Sequence, residues 1–253
     1  MSARVLFSAP QSDWDDYREV LPDALSEAGV SAEIEHVLMP DHPETVDYIV
    51  YAPSSRLTDF TPFTKAKAVL NLWAGVEEIA TNETLTQPLA RMVDPGLTNG
   101  MVEWCVGHVM RHHLGIDLDL ARQDGVWQPR LPPLARERRV TILGLGALGA
   151  AVGAALAALG FPVTGWSRSA KDLAGITCLS GEEGLIEALR IADVLILLLP
   201  LTAETDSLLD DARMAHLPEG AVLLNPGRGP LISDPALLDA LEKGRISHAT
   251  LDV

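Results

Sequence analysis

An α/β fold is predicted for this 253-residue chain, a doubly wound parallel sheet preceded by a smaller α/β domain, on three observations. A β-branched run at 140–143 leads into Gly144-Leu-Gly-Ala-Leu-Gly149 and then into an alanine-rich stretch of helical character. Short apolar runs alternate with helix-like stretches on both sides of that motif. Between the two halves, Pro95-Gly96-Leu97-Thr98-Asn99-Gly100 punctuates the chain and divides it into residues 1–97 and 98–253.

In the first part, apolar runs at 4–7, 32–38, 46–51, 67–72 and 90–93 read as strands, with helices over 13–28 and about 76–86. A long helix from about 99 to 122 follows. Met101, Cys105, Val109 and Met110 recur there at helical spacing, and Val102, Val106 and Leu114 widen the stripe. A connection rich in Pro and Arg, Gln128 to Arg139, leads to strand 140–143 and to a helix over 147–159 that Gly160 and Pro162 stop. A second strand ends in Trp166-Ser167-Arg168. The alternation continues with strand 176–179, helix 181–190, strand 192–199, helix 210–216, strand 221–225, helix 233–243 and strand 247–252. Right-handed crossovers put all the carboxyl ends of these strands on one rim.

The glycine motif carries chemistry. Gly144 and Gly146 let the backbone turn sharply and bring its N–H groups against a pyrophosphate, and Gly149 lets the next helix lie close on the sheet. The first-turn residues Ala147 and Leu148 belong to a helix N-terminus whose dipole attracts the same anion. The uncharged stretch Val140–Trp166 is long enough for a membrane span, but its repeated glycines and Pro162 fit two strands around a helix better. Sites selective for NAD place an acidic residue about 20 residues after the motif, at the end of the second strand. Ser167 stands there instead, followed by Arg168 and Lys171, which suits a 2′-phosphate and favours NADP(H) over NAD(H). The bland alternative for both cations is solvated surface charge.

Composition narrows the rest. With 47% hydrophobic and 21% charged residues the balance is globular, and the length fits one or two domains. A net charge of -16 argues against nucleic acid, whose phosphates it repels, and leaves anionic substrates dependent on a local basic pocket. Cys105 and Cys178 are too few for a disulfide framework and lack metal-ligand spacing, so both read as buried apolar fillers and no metal is expected. No export signal precedes Val5, and the cytoplasm is the expected compartment.

Two further segments belong to the rim. Pro200, Leu201 and Thr205 follow the carboxyl end of strand 192–199, where open α/β sheets bind ligands. Arg228 follows strand 221–225 between Gly227 and Gly229, so its guanidinium can project into a cleft beside a nicotinamide. There it can grip the carboxylate and carbonyl oxygen of a 2-oxo acid and stabilise charge growing on that oxygen. The structural alternative is an arginine that ties down its own loop.

Leu199-Pro-Leu-Thr202 with Thr205, Asn225-Pro-Gly-Arg228-Gly and Ala249-Thr-Leu-Asp-Val253, spaced after the glycine motif, resemble the D-2-hydroxyacid dehydrogenases. Trp166-Ser-Arg-Ser169, Ala74-Gly-Val76 and Trp127-Gln-Pro129 are most similar to the NADPH-dependent glyoxylate/hydroxypyruvate reductases of the A type within them. The resemblance implies a Rossmann-type nucleotide domain, a flavodoxin-like substrate domain and a homodimer built on the long helix. It also implies a substrate-carboxylate loop of Ala74, Gly75 and Val76, Arg228 as the catalytic arginine, and Asp252 near the nicotinamide carboxamide. The alternative for the helix stripe is packing within one chain, and for Gly75 a simple turn.

In the family a Glu and a Pro-His pair beyond the Leu-Asp-Val motif act as proton donor. None of the seven histidines here is an obvious replacement, so turnover by a chain ending at Val253 is expected to be impaired. Two functions remain open at this point: an NADPH-dependent reductase of a small 2-oxo acid, and an NADP(H)-binding regulatory or sensor protein without turnover.

Overall fold

The computed structural model describes residues 2–253, which divide into two compact units, one ending at Val93 and the other spanning Asp94–Val253. The division precedes the residue 97/98 boundary by one helical turn. Asp94 caps the helix that opens the second unit, accepting from the Leu97 N–H at 2.9 Å.

The first unit contains β1 (Ala3–Ser8), α1 (Gln11–Glu27), β2 (Ala32–Glu35), β3 (Tyr48–Tyr51), β4 (Ala68–Asn71), α2 (Glu77–Ala80) and β5 (Leu89–Arg91). Its strands form one parallel sheet in the order β2-β1-β3-β4-β5, the flavodoxin-like arrangement. Alternation along the strands sends Leu6, Ile49 and Val69 into a core with Phe60 and Phe63, while Val5, Phe7 and Val50 face the opposite side with Trp14 and Leu21 of α1.

The helix expected over 76–86 is only α2. Asn82 and Thr84 stop it, because the Asn82 carboxamide accepts the Thr84 N–H at 2.8 Å and donates to Thr58 O at 2.8 Å, which gives the backbone an alternative to a further helical turn.

The second unit contains α3 (Pro95–Leu114), α4 (Ile116–Ala121), β6 (Val140–Leu143), α5 (Ala147–Ala158), β7 (Val163–Ser167), β8 (Ile176–Ser180), α6 (Gly181–Arg190), β9 (Val194–Leu197), α7 (Asp211–Met214), β10 (Ala221–Asn225), α8 (Asp234–Glu242) and β11 (Ile246–Leu251). Six parallel strands run in the order β11-β10-β9-β6-β7-β8, the Rossmann order, which reverses between β6 and β9.

Both sheet faces are covered, which is why these strands are apolar without interruption. Ile142, Val194, Ile196, Val222 and Leu224 pack with Cys105 and Val109 of α3 and Val152 and Leu156 of α5. Leu143, Leu195, Leu197 and Leu223 pack the other way, with Leu185 and Leu189 of α6, Met214 of α7 and Leu237 of α8. Each such side chain contributes about 1.5–3 kcal/mol by leaving water.

Two expectations are corrected here. The helix over 99–122 is broken at Gly115, whose φ of 68° is left-handed. Arg130 seals the break by donating to the carbonyls of Leu114 and Gly115 and pairing with Asp119. Cys105 is buried as expected, but Cys178 lies on the sheet-edge strand β8 and is only half-buried. The stripe of α3 is taken up inside the unit, since Met101, Val102, Val106 and Met110 pack against the second unit's own core. No helix among the described residues is long and apolar enough to cross a membrane.

Candidate functional site

The carboxyl rim of the six-stranded sheet carries most of the residues singled out in the sequence. β6 ends at Leu143, and Gly144 turns the chain with φ 109°, a conformation that L side chains rarely adopt. A Cβ there would lie 2.4 Å from Leu198 O, so the loops leaving β6 and β9 touch backbone to backbone at the reversal of strand order. A Cβ on Gly149 would lie 1.8 Å from Gly144 O, which is why α5 can start directly beneath the turn.

Gly146 differs from its two partners. It is exposed, and a Cβ on it would meet nothing within 4 Å. It also heads α5 without a side-chain cap, with Ala147 exposed and Leu148 half-buried beside it. Open space above uncapped first-turn amides is the cradle an anion requires. The chain fits a dinucleotide pyrophosphate here on geometry.

At the end of β7, Ser167 is buried and donates to Ser169 O at 2.8 Å. Arg168 is exposed, and neither it nor the exposed Lys171 makes an ion pair among the described residues. After β9, the Thr205 hydroxyl donates to Pro200 O at 2.7 Å and accepts from the Thr202 N–H at 2.8 Å, which fixes the loop of Pro200 and Leu201. Glu204 of that loop is held below the usual carboxylate range by the Thr202 hydroxyl, its own backbone and the field of Arg168. The field of Arg168, in the loop after β7, thus reaches Glu204 in the loop after β9; Lys171 lies in the same loop as Arg168.

β10 ends at Asn225, fully buried, and its carboxamide shapes the next loop. Its nitrogen donates to Arg228 O at 2.9 Å and its oxygen accepts the Gly227 N–H at 3.1 Å. Arg228 is half-buried, and its guanidinium donates to Gly227 O at 2.7 Å. Beyond β11, the Asp252 N–H donates to Asn225 O at 3.0 Å, so Asp252 and the arginine loop hang from one residue. Burial pushes the Cys105 thiol up to about 12, with a further contribution from the Asp252 charge. Asn225 is quoted in the sequence motif, but its positioning role shows only in these bonds.

Two histidines of the second unit meet between α3 and β11. His112 of α3 reaches Thr250 through Nε2 at 3.2 Å and faces His248 of β11 with ring centroids 5.2 Å apart. Burial, with His248 and Arg111 nearby, lowers His112 to about 4. Among the described residues no group of three or more His, Cys, Asp or Glu is placed to hold a metal.

The loop Ala74-Gly75-Val76 lies in the first unit, between β4 and α2. Asn71 at the end of β4 is almost buried and donates to Trp73 O at 2.6 Å and Gly75 O at 2.9 Å. Residues 74–76 are half-buried, and among the described residues their N–H groups donate to no protein acceptor. Asn71 carried no role in the sequence; its one signal there is an amide closing an apolar strand run.

Residues 106–253 match the D-isomer specific 2-hydroxyacid dehydrogenase, NAD binding domain. A glyoxylate/hydroxypyruvate reductase A of Serratia proteamaculans is 34% identical over 98% of this chain and 80% of its own length. That of Citrobacter koseri is 36% identical over 91% of this chain and 76% of its own. Among solved structures, a D-isomer specific 2-hydroxyacid dehydrogenase from Xanthobacter autotrophicus Py2, in complex with NADPH and MES, superposes with a TM-score of 0.90 at 36% identity, covering 100% of this chain and 81% of that one. An NADPH-dependent glyoxylate/hydroxypyruvate reductase from Sinorhizobium meliloti, in complex with NADP and sulfate, gives 0.83 at 30% identity with coverage of 100% and 81%.

Proposed function

This chain belongs to the D-isomer specific 2-hydroxyacid dehydrogenase family and is an NAD(P)-dependent oxidoreductase, and from that premise we propose that it uses NADPH to reduce a small 2-oxo acid, glyoxylate or hydroxypyruvate, to the 2-hydroxy acid. The observation that carries the proposal is the pairing on one sheet rim of an open glycine cradle with a positioned arginine. The relatives named for glyoxylate and hydroxypyruvate supply the substrate class.

In this reading Gly144, Gly146, Ala147, Leu148 and Gly149 hold the pyrophosphate, and Pro200, Leu201, Thr205 and Asp252 line the rest of the cofactor. Ser167, Arg168 and Lys171 serve the 2′-phosphate: a hydroxyl and two cations stand where a carboxylate would select NAD. When bound, the reduced nicotinamide supplies the hydride. Arg228 holds the carboxylate and carbonyl oxygen in one planar fork and stabilises negative charge as it grows on that oxygen. The amides of residues 74–76 bind the carboxylate, a role the resemblance implies. The residue 1–97 region is then the substrate domain and 98–253 the nucleotide domain. A homodimer belongs to the same reading, with the exposed Val126, Trp127 and Leu131 beyond α4 as apolar surface for a second copy. A monomeric mass at micromolar concentration would remove it.

The test is NADPH oxidation with glyoxylate, run on this chain and on a form extended at the carboxyl end so that a downstream Glu and Pro-His pair can supply the proton. Arg228→Gln should abolish turnover while NADPH binding persists. Tight NADPH binding with no reduction of any 2-oxo acid by either form would favour a sensor instead.

A further inference from the structure

Asn71 is 4% exposed, and both of its amide hydrogens are committed to carbonyls of the loop that follows, Trp73 O at 2.6 Å and Gly75 O at 2.9 Å. Two acceptors dictate which end of the carboxamide faces the loop, because its oxygen would repel both. The peptide bonds here are trans, and in a trans peptide the N–H of one residue points opposite to the carbonyl of the residue before it. Drawing the Trp73 and Gly75 carbonyls to one nitrogen therefore turns the N–H groups of Ala74 and Val76 away from Asn71, in a common direction. Neither donates to a protein acceptor among the described residues. Asn71 Oδ1 is itself buried without a hydrogen-bond partner, an arrangement that a side chain serving stability alone would avoid.

We propose that Asn71 is a positioning residue that aims the Ala74 and Val76 amides at the substrate carboxylate. The proposal rests on the reading of residues 74–76 as the carboxylate loop. Asn71 touches no substrate; it sets the direction of the two donors that do. Removing its amide lets the Gly75 carbonyl turn toward water and leaves the Trp73 carbonyl held only by the Met92 N–H at 3.3 Å, so the Val76 amide loses the direction it shares with that of Ala74.

The test uses Asn71→Leu, which keeps the shape while removing both the donors and the unpartnered oxygen. Glyoxylate is titrated calorimetrically into protein saturated with NADP+, where no hydride is available and binding alone is read. The variant should bind glyoxylate about 10- to 100-fold more weakly, the loss expected for misdirected bonds to a charged group. Its NADPH affinity should stay within about twofold and its Tm within about 3 °C, and in turnover the effect should fall on KM rather than kcat. Asn71→Asp, which sets a carboxylate against the two carbonyls, should weaken glyoxylate at least as much. Unchanged glyoxylate binding by Asn71→Leu overturns the proposal alone. A loss accompanied by an equal loss of NADPH affinity or a large fall in Tm overturns it in favour of a structural role. Wild-type protein that binds no 2-oxo acid at all removes the functional reading and the proposal together.

Discussion

Two loops of this molecule present bare backbone amides, and they are shaped by opposite means. In the second unit the turn after β6 is shaped by missing side chains. Gly144 adopts a φ of 109°, and Gly149 lies where a Cβ would come within 1.8 Å of Gly144 O. In the first unit the loop after β4 is shaped by a side chain that is present, the buried carboxamide of Asn71. Steric absence fixes a position rigidly. A hydrogen-bonding hold fixes a direction and can be removed without filling space.

The largest expected effect breaks the first device. Gly149→Ala forces a methyl group into the Gly144 carbonyl, a backbone atom that cannot swing aside, and should cost more than about 3 kcal/mol. Thermal unfolding followed by circular dichroism should show it, and an unaltered Tm would contradict the packing described.

Next comes the contrast between two asparagines that each close a strand. Asn225 has both ends satisfied, so Asn225→Leu abandons the buried Gly227 N–H and should lower stability by about 1–3 kcal/mol in chemical denaturation. Asn71→Leu discards an orphaned oxygen as well and should not.

A smaller effect lies away from both loops, at the His112–His248 contact. His112 titrates near 4 in the fold against an ordinary value of 6.5, so the unfolded chain takes up the proton first as pH drops. The stability that this group contributes is complete above pH 6.5 and is lost as pH falls toward 4. His113, lowered by burial and by Arg138, acts in the same direction. Asp117 and Asp193 are lowered from 3.8 and respond only below this window. His112→Gln should flatten the Tm-against-pH curve between pH 4 and 6.5.

The smallest effect on stability is the sharpest on function. Gly146→Ala meets no protein atom, so Tm should not move, yet the methyl group enters the proposed pyrophosphate space and should weaken NADPH at least about tenfold by calorimetry. Undiminished NADPH binding would separate Gly146 from the cofactor.

What was legible in the sequence follows the same division. A missing Cβ is written in the sequence, so the turn at 144–149 and the parallel strand series around it could be placed in advance. Unbroken apolar strands such as Val194–Leu197 likewise announce burial on both faces. Asn71 could not be assigned, because its role depends on where the carbonyls two and four residues later turn. The short α2 and the break at Gly115 escaped for a related reason. Asn82 decides the first by capturing backbone groups, and at the second the left-handed Gly115 ends α3 while Arg130 takes up the freed carbonyls; apolar periodicity, which runs on past Gly115, records neither. On the rim, Arg228 stood out between two glycines, whereas Asn225, which fixes its loop, looked like one more residue of a motif.

Trp73 gives the first unit an unlabelled optical probe. Its carbonyl is one of the two held by Asn71, while its indole is 50% exposed, so a rotation of that peptide alters the ring's contact with solvent. Trp14 is packed on Phe7, Trp104 is packed on His108 and the second unit's core, and Trp166 is 9% exposed, so these three rings contribute a background that an event in this loop does not alter. With Trp127 replaced by phenylalanine to remove a ring that is 89% exposed, the fluorescence spectrum becomes a direct record of whether the amide pair is aimed.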